Sequence, residues 1–266
     1  MIDDGGYQIN QMRAHRVLQV RRSLSYKIFH GDATLCNSYT DALKGELADL
    51  LITDPPYCIL TRRRKNGDLR DDKLRIRKLD NSKVVRKFEN IAEYRAFTRK
   101  WLKACIESAL KPDANLIIWT NYLGKSPISD VTREFGYEQV EKEYMWAKLS
   151  KNQNKIGLYS SECSLRVYEV ALVFRRPSRK YDNNSNSTTW SVITGYHPTG
   201  SLAAHKHPCH KPVEALLPLV QSWMQPQQLV LDPFAGSGSI LKAASLCGSR
   251  GVGLEICKDW VSEEES

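Results

Sequence analysis

Six near-continuous apolar runs punctuate this chain: "YKIFH" (26–30), "LADLLITD" (47–54), "NLIIWT" (115–120), "VYEVALVF" (167–174), "QLVLDPF" (228–234) and "RGVGLEI" (250–256). Runs of that length without polar alternation are expected of strands covered on both faces. A further segment, "YEQVEKEYMWAK" (137–148), has the alternating character of a strand. Helical patterns lie between them at 91–110, 211–224 and 238–248. In the first, Ile91, Tyr94, Phe97, Trp101, Leu102, Cys105 and Leu110 recur close to the helical period. Strands alternating with helices predict a wound α/β sheet.

Two stretches break the alternation: 58–90, and the Ser-, Asn-, Thr-, Gly- and Pro-rich 175–210. Long insertions in a compact sheet are usually functional loops or linkers. The formal net charge is +9, and the region from Thr61 to Asn90 holds twelve Lys or Arg against five Asp or Glu, so it carries +7 of that total. Clustered cations bind polyanions largely by counterion release, which makes Arg62, Arg63, Arg64, Lys65 and Arg70 candidate phosphate contacts. A solvated loop that keeps the protein soluble is the competing reading.

The 266 residues suffice for one large domain with a sizeable core, or two small ones. No apolar run approaches the roughly 18 residues needed to span a bilayer, which argues against membrane insertion. The N-terminus begins with acids and lacks an uninterrupted apolar segment, unlike a secretory signal. Seven cysteines without a CxxC spacing point to reduced thiols in an intracellular compartment.

Residues 53–58 read "TDPPYC". Two consecutive prolines at the end of a core strand stop the ladder, because neither offers an N–H. At the carboxyl edge of an open parallel sheet, where ligands bind, the Asp54 carboxylate and the carbonyls of Pro55 and Pro56 form a row of acceptors. Such a row suits an exocyclic amino group, with Tyr57 stacked on the ring that bears it. A nucleobase reaches such a pocket only when single-stranded or flipped out of its duplex. A simple strand stop with an incidental acid is the alternative.

"LDPFAGSGSILKAA" (231–244) reads as a strand, a tight turn with Gly236 and Gly238, then a helix. Glycines there let backbone approach a ligand closely. Glu255 lies 19 residues past Gly236, at the end of the next strand. An acid about 20 residues beyond such a turn is placed to accept both hydroxyls of a ribose. GxGxxG and the Walker lysine are both absent, so a ligand with ribose but no pyrophosphate fits better, and S-adenosylmethionine is the obvious one. Plain turn glycines and a surface acid at a strand end are the competing readings.

Together these residues resemble the amino-methyltransferases that modify N6 of adenine or N4 of cytosine in DNA. "TDPPY" looks like their catalytic motif and "LDPFAGSG", with Asp232 and Phe234, like their cofactor turn. "HPCHKP" (207–212) is similar to the His-Pro-x-x-Lys-Pro that opens the helix before that turn, and the resemblance implies that Lys211 joins the residues that hold the cofactor. "HGDA" (30–33) is similar to the segment whose Asp, here Asp32, lies near the cofactor adenine. "YMWAK" and "VYEVALVF" resemble the family's later strands, and the match spans Tyr26 to Glu255.

The catalytic half comes first and the cofactor turn last, which is the circularly permuted order of the family's beta group. The resemblance implies a Rossmann-like seven-stranded methyltransferase sheet in one domain, 26–256. An N-terminal extension (1–25) and a C-terminal tail (257–266) would flank it. The 175–210 segment occupies the place of the target-recognition region, and at about 35 residues it is shorter than in larger bacterial members. Sequence reading would then be weak, or shared with 58–90. DNA is the implied partner, inside the cell in cytoplasm or nucleus, with RNA possible. Nothing in the sequence selects monomer or homodimer.

The chemistry implied is direct in-line transfer of a methyl group from a sulfonium to nitrogen. Asp54 and the Pro55 carbonyl would accept the two N–H bonds, freeing a lone pair that is otherwise delocalised into the ring. Asp rather than Ser at the first motif position leans toward adenine. Cys58 invites comparison with thiol nucleophiles, but that family uses Pro-Cys. The cluster His205, His207, Cys209 and His210 lacks a second ligand pair and is explained by the Lys-Pro motif that follows, so no metal is expected. Trp119 and Asn121 could line the pocket or serve as a core Trp and a turn. An RNA amino-methyltransferase and a non-catalytic nucleic-acid binder remain the competing functions.

Overall fold

The computed structural model describes residues 25–60, 86–149, 168–177, 190–196 and 211–261. In chain order its elements are β1 (Tyr26–His30), α1 (Cys36–Leu43), β2 (Ala48–Thr53), α2 (Ile91–Ala109), β3 (Leu110–Thr120), α3 (Lys125–Glu134), β4 (Glu138–Leu149), β5 (Tyr168–Arg175), β6 (Trp190–Tyr196), α4 (Val213–Trp223), β7 (Leu229–Asp232), α5 (Ser239–Leu246) and β8 (Arg250–Glu255).

The strands form one sheet in the order β1-β8-β7-β2-β3-β5-β4-β6. Pairings from β1 through β3 are all parallel, β5 is antiparallel to both β3 and β4, and β6 is parallel to β4. β5 is therefore the single reversed strand among the described residues. This is the expected Rossmann-like architecture with one strand more than the seven anticipated. The extra strand, β6, comes from the segment read as a loop: its own WSVITGY is rich in β-branched and aromatic residues, but the stretch around it is rich in Ser, Asn, Gly and Pro.

Why the apolar runs are continuous follows from side-chain parity. Leu51, Leu116, Ile118, Leu172, Phe174 and Leu231 enter a core beneath α1, α2 and α3, with Tyr39, Phe97, Trp101 and Ile128. Their immediate neighbours Leu50, Ile52, Ile117, Ala171, Val173 and Val230 face the other way, against Leu216, Leu219, Ile240 and Leu241 of α4 and α5. Each buried aliphatic side chain contributes roughly 1.5–3 kcal/mol on leaving water.

α2 starts where Asn90 accepts the Glu93 N–H at 2.9 Å, while Glu93 accepts the Glu89 N–H at 2.6 Å. It stops one residue short of the anticipated Leu110, which already belongs to β3. Pro112 lies just beyond and cannot continue a helix. Ile91, counted on the buried stripe from its spacing, is 41% exposed at the first helical position. Two helices carried no sequence signal: α1 has 8 residues and α3 has 10, each with only three or four buried side chains. Among the described residues no helix is long and apolar enough to cross a membrane.

Candidate active site

β2 and β7 lie side by side and parallel at the point where the chain turns in opposite directions, through α2 to β3 and through α5 to β8. A crevice opens at the carboxyl ends of strands at such a switch point. "DPPY" leaves β2 there, and "DPFAGSG" begins at the last residue of β7. The Thr53 hydroxyl donates to Asp232 Oδ1 at 2.8 Å, and the Phe234 N–H donates to the same oxygen at 3.1 Å. Asp232 is buried, which pushes its carboxyl up to about 7.

The loop after β2 is braced from β3. The Asn121 amide donates to the Cys58 carbonyl at 3.0 Å, and its Oδ1 accepts the Gly124 N–H at 3.0 Å. Asn121 is thus both the anticipated turn residue and a strut for the segment that follows β2. The Cys58 side chain is 0% exposed and burial pushes its thiol up, which disfavours a thiolate nucleophile.

A buried ion cluster occupies the crevice. Lys211, two residues ahead of α4, is 5% exposed. Its Nζ is ion-paired with Asp54 Oδ2 and with Glu169 Oε2, the latter at 2.9 Å, and donates to the Tyr57 hydroxyl at 2.9 Å. The Tyr57 hydroxyl donates to Glu169 Oε2 at 2.7 Å. The rings of Trp119 and Trp146 lie with their centroids 5.2 and 5.9 Å from the ammonium. Trp119 is buried, so it belongs to the core and still borders the cluster. All three N–H bonds of Lys211 have acceptors.

Burial lifts the Asp54 carboxyl above the usual range, Lys211 works against that rise and Glu169 adds to it. For Lys211, burial opposes the charge, but Asp54 and Glu169 outweigh it and hold the ammonium above the ordinary lysine value. Burial, then the two carboxylates, push the Tyr57 phenol well up. Asp54 Oδ1 is buried and has no hydrogen-bond partner among the described residues.

Lys211 and Asp54 share a cavity with Asp232, Phe234, Gly236 and the start of α5. Gly236 and Gly238 have φ of 49° and 75°, which an L side chain adopts with strain, and a Cβ at Gly238 would meet Ile28 Cδ1 at 2.9 Å. Glu255 closes the turn: its Oε2 accepts the Gly236 N–H at 3.0 Å and its Oε1 the Cys257 N–H at 2.8 Å. Phe234 packs edge-on to Trp101 at 5.4 Å. Asp32 follows β1, whose neighbour Gly31 donates to the Glu255 carbonyl at 3.0 Å, and its carboxylate accepts the Thr34 N–H at 2.8 Å.

The structure therefore gathers Asp54, Tyr57, Lys211, Asp232, Phe234 and Gly236 at one crevice, with Gly238, Glu255 and Asp32 on the adjoining β7-β8-β1 side. Arg62, Arg63, Arg64, Lys65 and Arg70 lie outside the described residues, as do His205, His207, Cys209, His210 and most of 175–210. Glu169 had not been singled out. Its signal was an acid inside the apolar run "YEVALVF", at the same parity as Ala171 and Val173 and hence on the α4 face.

Residues 48–264 match the model of a DNA methylase family named for N6 and N4 methyltransferases. The chain is 26% identical over 219 residues to YubD of Escherichia coli (strain K12), a candidate methylase by its name, covering 81% of this chain and 79% of that one. It is 24% identical over 256 residues to the type II methyltransferase M.HinfI of Haemophilus influenzae, covering 90% of this chain and 67% of that one. Among solved structures, a complex of M1.HpyAVI with SAM superposes with a TM-score of 0.59 at 19% identity, over 89% of this chain and 95% of that one. The cytosine-N4-specific PvuII DNA methyltransferase superposes with a TM-score of 0.58 at 18% identity, over 91% and 87%.

Proposed function

This chain belongs to the DNA methylase family of N6 and N4 amino-methyltransferases, and on that premise we propose that it methylates the exocyclic amino group of a flipped DNA base, N6 of adenine ahead of N4 of cytosine. The observation that carries this reading is Asp54 Oδ1, a buried acceptor without a donor among the described residues, on the wall of the cavity that the glycine turn also lines. A buried carboxylate oxygen is costly to leave unpartnered, so the site is built for a donor that arrives with substrate. The Asp at this position supports the lean toward adenine.

The residues also fit S-adenosylmethionine: positive-φ glycines allow close backbone approach, and Glu255 ends β8 as an acid beside the turn. Bound there, S-adenosylmethionine supplies an electrophilic methyl group on a sulfonium. Gly236 and Gly238 would admit its backbone-facing edge, Glu255 would take the ribose hydroxyls, and Asp32, Asp232 and Phe234 would complete the walls with Lys211 behind them.

Asp54 Oδ1 and the Pro55 carbonyl accept the two N–H bonds of the amine, and Tyr57, its hydroxyl pinned by Glu169 and Lys211, stacks on the base. Pro56 keeps the loop off the ladder. Transfer of the methyl group to nitrogen would place positive charge beside the Asp54 and Glu169 carboxylates, the sulfonium being released as a neutral thioether. The proton would leave only after nitrogen has become cationic, so no strong base is needed, and the Asp54 carboxylate would take it and pass it to water. Arg62, Arg63, Arg64, Lys65 and Arg70 serve the DNA backbone as phosphate contacts, and the enzyme works inside the cell, where DNA is.

The test is a cofactor titration followed by transfer of labelled methyl to DNA and to RNA, with mass spectrometry of the nucleosides. N6-methyl-2′-deoxyadenosine from DNA is the expected product. Methylation confined to RNA, or cofactor binding without transfer to either, would sink the reading.

A further inference from the structure

We propose that Lys211 and Glu169 are positioning residues for the transfer: the Lys211 ammonium holds Asp54 by Oδ2 as a carboxylate, turning Oδ1 to the cavity, and Glu169 holds the ammonium and Tyr57 in place. The proposal rests on the amine-transfer reading for its purpose, although its first test does not.

A lysine buried to 5% exposure is unfavourable unless its charge is fully met. Here three N–H bonds meet three acceptors from two separate stretches: Asp54 and Tyr57 after β2, and Glu169 on β5. Nothing is left to donate to a cofactor carboxylate, so the lysine acts on the catalytic loop. Because it takes only Oδ2 of Asp54, it decides which oxygen faces the substrate.

Glu169 reaches this place because β5 is reversed. Every parallel strand delivers its last residue to the carboxyl edge, whereas β5 delivers its second. Among the described residues, the titratable groups around Asp54 are then Tyr57 on its own loop, Tyr94 from α2, Glu169 from β5, Lys211 ahead of α4, and Asp232 from β7. Lys211 is the one cation in that set. Asp54 and Glu169 with one ammonium leave a net negative charge beside the amine, to which Asp232 adds whenever it is ionised, and this is matched to the cation that forms during transfer. Without the lysine, Asp54 and Glu169 would face each other in a buried space, and one would take a proton.

The experiment follows the Asp54 carboxyl by carbon NMR in the unliganded protein labelled at aspartate, with Asp54→Asn for assignment. In Lys211→Met, Asp54 should titrate roughly 1–3 pH units higher than in wild type. The acid limb of the methyl-transfer rate should move up with it, while cofactor affinity stays within about threefold. Each pH unit by which that limb passes the assay pH removes about a factor of ten in the ionised fraction. Lys211→Arg should restore most of the shift.

Glu169→Gln is the second variant, and it should move Asp54 the opposite way, downward, by removing a like charge. Unchanged Asp54 titration in Lys211→Met overturns the proposal. So does movement of both variants in the same direction, which would mean simple loosening, or an activity loss accounted for by cofactor affinity alone. If wild type transfers methyl to no nucleic acid, the amine reading fails while the NMR titrations still decide the counter-ion.

Discussion

The Thr53 hydroxyl donates to Asp232 Oδ1 at 2.8 Å across 179 residues of sequence, joining the end of β2 to the end of β7. This bond ties the segment that would grip the base to the turn that would carry the methyl donor. Thr53→Val should leave Asp232 with only the Phe234 N–H. Its titration should rise further, and cofactor affinity should fall by less than tenfold, measured by calorimetry and by carbon NMR.

Asp232 also makes stability depend on pH. Its folded value of about 7 lies above the ordinary 3.8, so the folded state binds this proton more tightly than the unfolded chain does. The stabilising protonated form is complete below the unfolded value and lost as pH rises toward 7; Asp54, also raised, acts in the same direction. Thermal midpoints should therefore fall between pH 5 and pH 7 in wild type, and Asp232→Asn should flatten that slope.

Asp54→Ala should leave cofactor binding near wild type and reduce methyl transfer by roughly 10²–10³-fold or more, the loss typical of a preorganised polar partner. Scintillation counting of labelled DNA measures the rate. A variant that retains wild-type transfer would disprove the amine-gripping role.

Gly238→Ala places a Cβ at 2.9 Å from Ile28 Cδ1 on a backbone at φ 75°. The cost should be about 1 kcal/mol or more in stability, with weaker cofactor binding, because the turn must relax to fit the methyl group. Differential scanning calorimetry reads the first and isothermal titration the second.

Reversing the charge of Arg62, Arg63 and Arg64 should weaken DNA binding and flatten its dependence on salt, since each neutralised phosphate contributes close to one counterion. An unchanged slope in a fluorescence titration would assign the basic stretch to solubility.

Local chemistry was legible in the sequence wherever the backbone needed a special residue. The prolines after Asp54 and the glycines at 236 and 238 mark turns that few other residues can make, so both halves of the crevice could be placed. Glu169 escaped notice because its role depends on pairing in space with Lys211, across a strand whose direction no local pattern encodes. α1 and α3 escaped because each is short and its three or four buried positions do not stand out from the connections between strands, and β6 because its strand-forming residues sit inside a Ser-, Asn- and Pro-rich stretch.

The sheet order has a consequence for how the protein is made. Among the described strands, β7 and β8 come last in the chain and insert between β1 and β2, which come first. Until they leave the ribosome, the nascent chain holds two unpaired strand edges at what will become its centre, and such edges are templates for aggregation. The methyl-donor turn is thus also the piece that completes the core, so a chain truncated before it would fail to fold before it failed to react.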